Sequence, residues 1–318
     1  MLVQTVNRLD GLVPVENVFV VTNSEQRDAV LDTCPDLLPE RVVGEPEGRD
    51  TAAAVALSAL LVQRENPSAA FAMLPADHVI EDGAGFRSVL KSSFETAERN
   101  DFLVTIGIKP TFPSTGYGYL CRGVEVEQAG GRAVSRVDRF VEKPDLPTAE
   151  EYLQEGGYFW NAGMFVWRAS RIMDCIKRHL PTHYDVIHSF TGKGIRAAAD
   201  VCDYYSQLES ISIDYGVLEH EVDNMVLIPA QFQWDDIGSW SSLAPHFSQD
   251  SNQNASKHDL MAHHSHRNLV MSPKGKKVVL AHVDDLIIVD TDDALLILPK
   301  EHDQAIKDIY DKLESEFQ

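Results

Sequence analysis

An open α/β sheet with helices on both faces, followed by a small C-terminal unit of β-strands and a helix, is the fold this sequence predicts. Three observations predict it. Short, uniformly apolar runs of strand length, such as Val18-Phe19-Val20-Val21-Thr22 and Phe102-Leu103-Val104-Thr105-Ile106-Gly107-Ile108, read as strands buried on both faces. Segments of helical periodicity alternate with them. Most telling, the run Phe71-Ala72-Met73-Leu74 stops at Pro75 and presents Asp77, so a buried strand delivers a carboxylate to the crevice where open α/β sheets hold ligands.

The elements follow in order. Leu2 to Leu12 predicts a short amphipathic helix. Asn23-Ser24 then caps a second helix, which ends near Cys34-Pro35. Arg41-Val42-Val43 is a short strand running into the loop Gly44-Glu45-Pro46-Glu47-Gly48-Arg49-Asp50-Thr51, which opens an Ala/Leu-rich helix from Ala52 to about Val62. A glycine beside an arginine at a helix start offers amide donors and a fixed positive charge to an anion or a nucleobase, and a capped helix with a solvated Arg49 fits the same residues.

A helix from about Phe86 follows the central strand. Beyond Ile108, Gly116-Tyr117-Gly118 permits close backbone approach to a flat or sugar-like ligand, and a tight turn explains the two glycines equally well. Val134 to Val141 alternates as a strand and ends at Glu142-Lys143-Pro144, where an acid and an amine form what is usually a solvated ion pair. A helix is expected over Ala149 to Glu155, then the aromatic stretch Tyr158 to Trp167, in which Asn161 either braces a turn or reads ligand hydroxyls. Helices from Arg171 and His183 and a strand from Asn224 to Ile228 lead to Trp234-Asp235-Asp236, a second carboxylate tip. Asp77 and Asp236 together suit an oxygen-ligated Mg²⁺ that also holds substrate phosphates.

The expected division is 1–247 for the sheet domain, 248–266 for a polar linker and 267–318 for a C-terminal β/α unit. Its strands are Lys277 to Ala281, Leu286 to Asp290 and Ala294 to Leu298, followed by a terminal amphipathic helix with Ile306, Ile309, Leu313 and Phe317 on one face. The linker carries His258, His263, His264 and His266, but no Cys or carboxylate at helical spacing, so solvated histidines outrank a metal site.

Composition excludes some partners. The 318 residues carry 28 basic and 49 acidic side chains, a formal charge of -21, which opposes a nucleic-acid backbone or an anionic membrane as the main partner. A polyanionic small ligand would need a metal, helix N-termini or a few placed cations. The four cysteines, Cys34, Cys121, Cys175 and Cys202, form no CxxC pair, so the chain predicts neither a zinc ribbon nor a disulfide framework, and a reducing cytoplasm fits it best. No apolar run approaches the roughly 18 residues of a membrane span, and the first residues lack a signal-peptide layout.

Seven motifs, in order, resemble those of bacterial mannose-1-phosphate guanylyltransferases. They are Gly48-Arg49-Asp50-Thr51-Ala52, Leu74-Pro75-Ala76-Asp77-His78, Thr105 to Ile108 with Thr115 to Tyr119, Phe140-Val141-Glu142-Lys143-Pro144, Trp160-Asn161-Ala162-Gly163-Met164-Phe165, Ser212-Ile213-Asp214-Tyr215 and Trp234 to Trp240. The resemblance covers essentially the whole chain. It implies a Rossmann-like nucleotidyltransferase domain that makes GDP-mannose and pyrophosphate from GTP and mannose 1-phosphate with Mg²⁺, usually for cell-surface polysaccharide. It also implies roles: Asp77 and Asp236 as metal ligands, with Asp77, Asp236 and Lys143 at the chemistry; Glu45, Arg49 and Asp50 toward the guanine; Gly118 and Asn161 toward the sugar; Glu142 and Lys143 toward the mannose hydroxyls and phosphate. A homo-oligomer is left open.

Two departures stand out. The family's Asn-Thr-Ala-Pro is Asp50-Thr51-Ala52-Ala53 here. The family also opens with a strand and a Gly-rich loop carrying cations, before the equivalent of Leu2-Val3-Gln4-Thr5-Val6. From this we expect either coding sequence upstream of Met1 or a chain with little or no transferase activity. We also expect the inner edge of the second family strand to be unpaired or re-paired. Three functions are therefore weighed: the pyrophosphorylase, for this or another sugar; a sugar-nucleotide sensor that binds without turnover; and a metal-dependent glycosyltransferase, which the Glu142-Lys143-Pro144 and Asn161 motifs do not favour.

Overall fold

The computed structural model describes residues 1–192, 205–238, 240–306, 309 and 312. Its contacts divide the chain into two compact units, Met1–Trp234 and Asp235–Gln318.

The first unit is the expected α/β sheet. Helices α1 (Leu2–Arg8) and α2 (Arg27–Thr33) flank the parallel pair β1 (Val20–Asn23) and β2 (Val42–Glu45), and α3 (Asp50–Glu65) follows. Then come β3 (Ala70–Met73), α4 (Gly83–Arg99), β4 (Leu103–Ile108), β5 (Tyr119–Ala129), β6 (Arg132–Val141), α5 (Leu146–Glu155) and β7 (Tyr158–Arg168). Helices α6 (Ala169–His179) and α7 (Pro181–His188) precede β8 (Met225–Pro229). Six strands lie in the order β3-β7-β4-β8-β6-β5. The sheet is mixed: β4 and β8 are parallel, whereas β7 runs antiparallel to β3, β4 and β5.

The continuous apolar runs are explained by burial on both faces. In β7, Phe165 and Trp167 join the core that α3, α6 and α7 cover, while Met164 and Val166 face the core beneath α4. In β8, Met225 and Leu227 pair with the first core, and Val226 and Ile228 with the second. Alternation along a strand thus feeds two cores rather than one core and solvent.

The expected unpaired edge is present. Among the described residues, strand β1 pairs only with β2, and β3 only with β7. Both border one cavity of about 840 Å³ lined by Val18, Phe19, Val20 and Val21 on one side and Ala70, Phe71, Ala72 and Met73 on the other. An open apolar edge templates strand addition. The chain is accordingly expected to self-associate on warming, with light scattering that rises with protein concentration. Scattering independent of concentration would show that this edge is not a sticking point.

Strand β5 is the main element the sequence does not announce. It pairs with β6 through repeated register shifts, and where it alternates, at Val124-Glu125-Val126-Glu127, the valines are exposed, so no buried apolar face marks it.

In the second unit, the three expected strands are β12 (Val278–Ala281), β13 (Leu286–Asp290) and β14 (Leu295–Pro299), joined by β9 (Ala255–Ser256), β10 (Leu260–His263) and β11 (Leu269–Met271). Strands β9, β11 and β13 stack in parallel, as do β10 and β12. The stretch 248–266, expected to be a linker, is therefore part of this coil, and the boundary falls at Asp235 instead. Composition misleads because the coil buries asparagines: the Asn254 carbonyl accepts from Asn268 N (3.0 Å) and Nδ2 (2.8 Å), and the Asn268 carbonyl accepts from Leu286 N (2.9 Å). Polar side chains that satisfy stacked backbone can be interior. The expected terminal helix falls mostly outside the described residues, as does Cys202. The other three cysteines are free thiols. Among the described residues no helix is long and apolar enough to cross a membrane.

Candidate active site

Four segments of the first unit meet where β5 and β7 begin and β6 ends. Asn161 of β7 donates its backbone N–H to Gly118 O at 2.8 Å, bringing the strand start against the Gly116-Tyr117-Gly118 turn. A Cβ on Gly118 would lie 2.3 Å from Glu142 Oε2 and 2.9 Å from the Phe140 ring, so only glycine lets these chains meet. Glu142 follows β6, and its side chain is only 11% exposed. Lys143 adopts φ 45° and sets Nζ 3.4 Å from Glu142 Oε1. This acid and amine are thus no solvated surface pair, although Lys143 itself stays open to solvent.

A further carboxylate completes the cluster. Asp214, in the helical turn Ile213–Gly216 capped by Ser212, accepts from Asn161 Nδ2 at 2.8 Å. Burial, and then the neighbouring Asp214 charge, push the Glu142 carboxyl up to about 7 against the pull of Lys143. Burial likewise pushes Asp214 up to about 6, against the hydrogen bond from Asn161. Near neutral pH a carboxyl in this state both donates and accepts, which suits hydroxyl groups that do the same. The Asn161 side-chain carbonyl meanwhile accepts from Gly163 N (3.2 Å) and Thr105 Oγ1 (3.4 Å), so it braces strand β7 itself where Gly163 takes φ 62°, rather than a turn.

The loop before α3 has a different character. Glu45, at the end of β2, accepts a hydrogen bond from the buried Tyr205 hydroxyl, and burial raises its pKa. Arg49 pairs with Glu47 at 2.9 Å. Asp50 opens α3 at φ 59°, and its carboxylate accepts from Thr51 N at 2.6 Å. Ala52 N donates to Ile211 O at 3.1 Å. Two of the amides the sequence offers to an anion are thus occupied within the protein.

Asp77 sits on an exposed turn after β3 whose backbone is held on both sides. Thr5 Oγ1 donates to Ala76 O at 3.4 Å, and buried Arg8 donates to His78 O at 3.1 Å. The His78 ring meets Trp234 edge-on at 5.1 Å. Asp236 belongs to the second unit, where its carboxylate accepts from Gly238 N at 3.1 Å. Among the described residues no group of three His, Cys, Asp or Glu side chains is arranged to hold a metal. Three histidines of the second unit do meet, His263 and His264 at 4.2 Å and His264 and His282 at 5.0 Å between ring centroids, without forming such a group.

The structure therefore brings together Gly118, Glu142, Lys143 and Asn161. It adds Asp214, Thr105 and Tyr205, to which sequence reasoning gives no role. Asp214 lies within a quoted motif, but a single acid before a tyrosine carries no spacing signal.

Residues 1–253 match the family model described as Nucleotidyl transferase. Among curated relatives, the Pseudomonas aeruginosa alginate biosynthesis protein AlgA is 35% identical over 98% of this chain and 65% of its own length. The Salmonella typhimurium mannose-1-phosphate guanylyltransferase RfbM is 38% identical over 98% of this chain and 65% of its own. The chain thus spans about two thirds of the length of these relatives. Among solved structures, one from Thermus thermophilus, described as a mannose-1-phosphate geranyltransferase, superposes with a TM-score of 0.83 at 30% identity, covering 98% of this chain and 88% of that one.

Proposed function

Because this chain belongs to the nucleotidyl transferase family, we propose that it transfers a guanylyl group from GTP to mannose 1-phosphate, giving GDP-mannose and pyrophosphate. The observation that carries the sugar side is the meeting of Gly118, Glu142 and Asn161, with the exposed Lys143 beside Glu142. Glu142 and Asn161 pair with mannose hydroxyls, and the Lys143 ammonium neutralises the phosphate. The relatives named for this reaction support the choice of sugar and base.

The chemistry asks little of proton transfer. A phosphate oxygen of mannose 1-phosphate, already ionised at neutral pH, attacks the α-phosphorus of GTP as the bond to the leaving pyrophosphate breaks. No general base is needed, so the barrier falls through alignment and charge neutralisation. Glu45 accepts from the guanine edge and Arg49 exchanges its Glu47 contact for the nucleotide.

Asp77 fits a Mg²⁺ ligand by its own surroundings: a hard, exposed carboxylate on a braced turn, matching an ion that takes one or two carboxylates beside water and substrate phosphates. When bound, Mg²⁺ would offset charge on the triphosphate.

The test is pyrophosphate release by the purified chain with GTP, mannose 1-phosphate and Mg²⁺, beside a panel of other nucleotides and sugar phosphates. Release that needs GTP, mannose 1-phosphate and metal is expected, and EDTA should stop it. Faster release with a different base or sugar would reject the assignment, and GDP-mannose binding without release would mark a sensor instead.

A further inference from the structure

The contacts of Asp214 reach both halves of the site. Its carboxylate accepts from Asn161 Nδ2 at 2.8 Å, which fixes the amide so that the Asn161 carbonyl faces Gly163 N and Thr105 Oγ1. One Nδ2 hydrogen is then left for a ligand. The preceding residue, Ile213, donates its backbone N–H to Thr51 Oγ1 at 2.8 Å, and Ile211 O accepts from Ala52 N at 3.1 Å. The short turn bearing Asp214 is thereby laced to the first turn of α3, directly after Arg49 and Asp50. A two-bond lacing on one side and a charge-assisted bond on the other make Asp214 a bridge between the nucleotide-side loop and the Gly118, Glu142 and Asn161 cluster.

We infer that Asp214 is a positioning residue: it fixes the Asn161 amide for a hydroxyl-bearing sugar phosphate and ties that amide to the loop opening α3. The inference rests on the proposed function for its ligand, not for its geometry. Loss of Asp214 frees Asn161 to rotate and removes the acceptor that distinguishes the two ends of its amide.

Three variants separate the outcomes. In calorimetric titrations of the purified chain, Asp214→Ala should weaken mannose 1-phosphate binding about ten- to a hundredfold, the effect of deleting one charge-assisted bond, while GTP binding stays within about threefold. Asp214→Asn keeps an acceptor oxygen of the same shape and should restore sugar-phosphate binding to within about threefold of wild type. Thr51→Val, which removes the acceptor for Ile213, should weaken sugar-phosphate binding by about threefold or more although Thr51 lies on the nucleotide-side loop.

A ligand-free arm keeps this apart from the functional reading. The Asn161 side-chain amide resonances should shift on Asp214→Ala and much less on Asp214→Asn. The Glu142 carboxyl, which also faces Lys143 and Glu219, should titrate lower in both variants once the Asp214 charge is gone. If wild type binds neither ligand, the proposed function fails and the amide resonances alone decide the inference. Unmoved resonances in Asp214→Ala would overturn it, as would wild-type sugar-phosphate affinity in that variant or an equal loss of both ligands with a lower melting temperature. Unchanged binding in Thr51→Val would overturn the tie to α3.

Discussion

Asp77→Asn is expected to slow pyrophosphate release at least about a thousandfold, ~4 kcal/mol of barrier, while leaving the melting temperature unchanged. The contrast follows from where the side chain lies. Asp77 is exposed on its turn, and the contacts that hold that turn are made by the neighbouring carbonyls of Ala76 and His78, not by the carboxylate. Asparagine preserves the shape and deletes the charge, so the fold loses nothing while a hard-cation ligand is lost. Raising Mg²⁺ should recover part of the rate, because a weakened site fills again by mass action. A variant that works at the wild-type rate at limiting Mg²⁺ would remove Asp77 from the metal site.

The turn carrying Asp77 is also the part of the molecule most legible in the sequence, and the reason is local. Phe71 to Leu74 are apolar because β3 packs between two cores, and Pro75 ends the strand where the ladder stops. Period, proline and carboxylate all lie within eight residues. The sugar-side cluster is legible only as a set of motifs. Read alone, Glu142-Lys143-Pro144 is a solvated pair, and it becomes a shielded acid near neutrality because the fold buries Glu142 and sets it beside the turn of Asp214, which follows two helices and β7. Contacts between distant segments leave no periodicity, so Asp214 and Thr105 stand in the motifs without a role.

The last three strands of the second unit are read from sequence, but the stretch 248–266 is misread for a related reason. The unit's strands are as short as Ala255–Ser256, and its interior includes Asn254 and Asn268, whose amides take over hydrogen bonding that longer strands supply between themselves. Hydrophobic pattern finds cores built from apolar faces, and this coil closes partly on amides. The open edge of β1, by contrast, is expected from the resemblance, and among the described residues it borders the same cavity as β3.

Glu221→Ala should destabilise the first unit by about 3–5 kcal/mol, the cost of deleting one member of a buried ionic cluster. The Glu221 side chain is 1% exposed and gathers Arg171 at 3.2 Å, Arg178, His179 at 2.8 Å and Asn224 at 2.8 Å. It ties the end of α6 to the segment that enters β8. Removing it leaves the Arg171 guanidinium, itself only 14% exposed, with the more distant Asp101 at 3.9 Å in place of Glu221 at 3.2 Å. Burial opposes the Glu221 charge, but the hydrogen bonds from His179 and Asn224 and the charges of Arg178 and Arg171 outweigh it, so its folded pKa lies below the ordinary 4.5. A depressed carboxyl stabilises fully above its unfolded pKa and loses that contribution as pH falls from there through the folded value. Melts of wild type and Glu221→Ala should therefore differ by roughly 10 °C at pH 7, at about 2–4 °C per kcal/mol, and converge as pH drops below about 4.5. Glu221→Gln, which keeps shape and hydrogen bonding without the charge, should fall between them at pH 7. A Glu221→Ala melt within about 2 °C of wild type at neutral pH would mean the cluster relaxes to solvent and holds nothing, and a gap that persists into acid would assign its role to packing rather than charge.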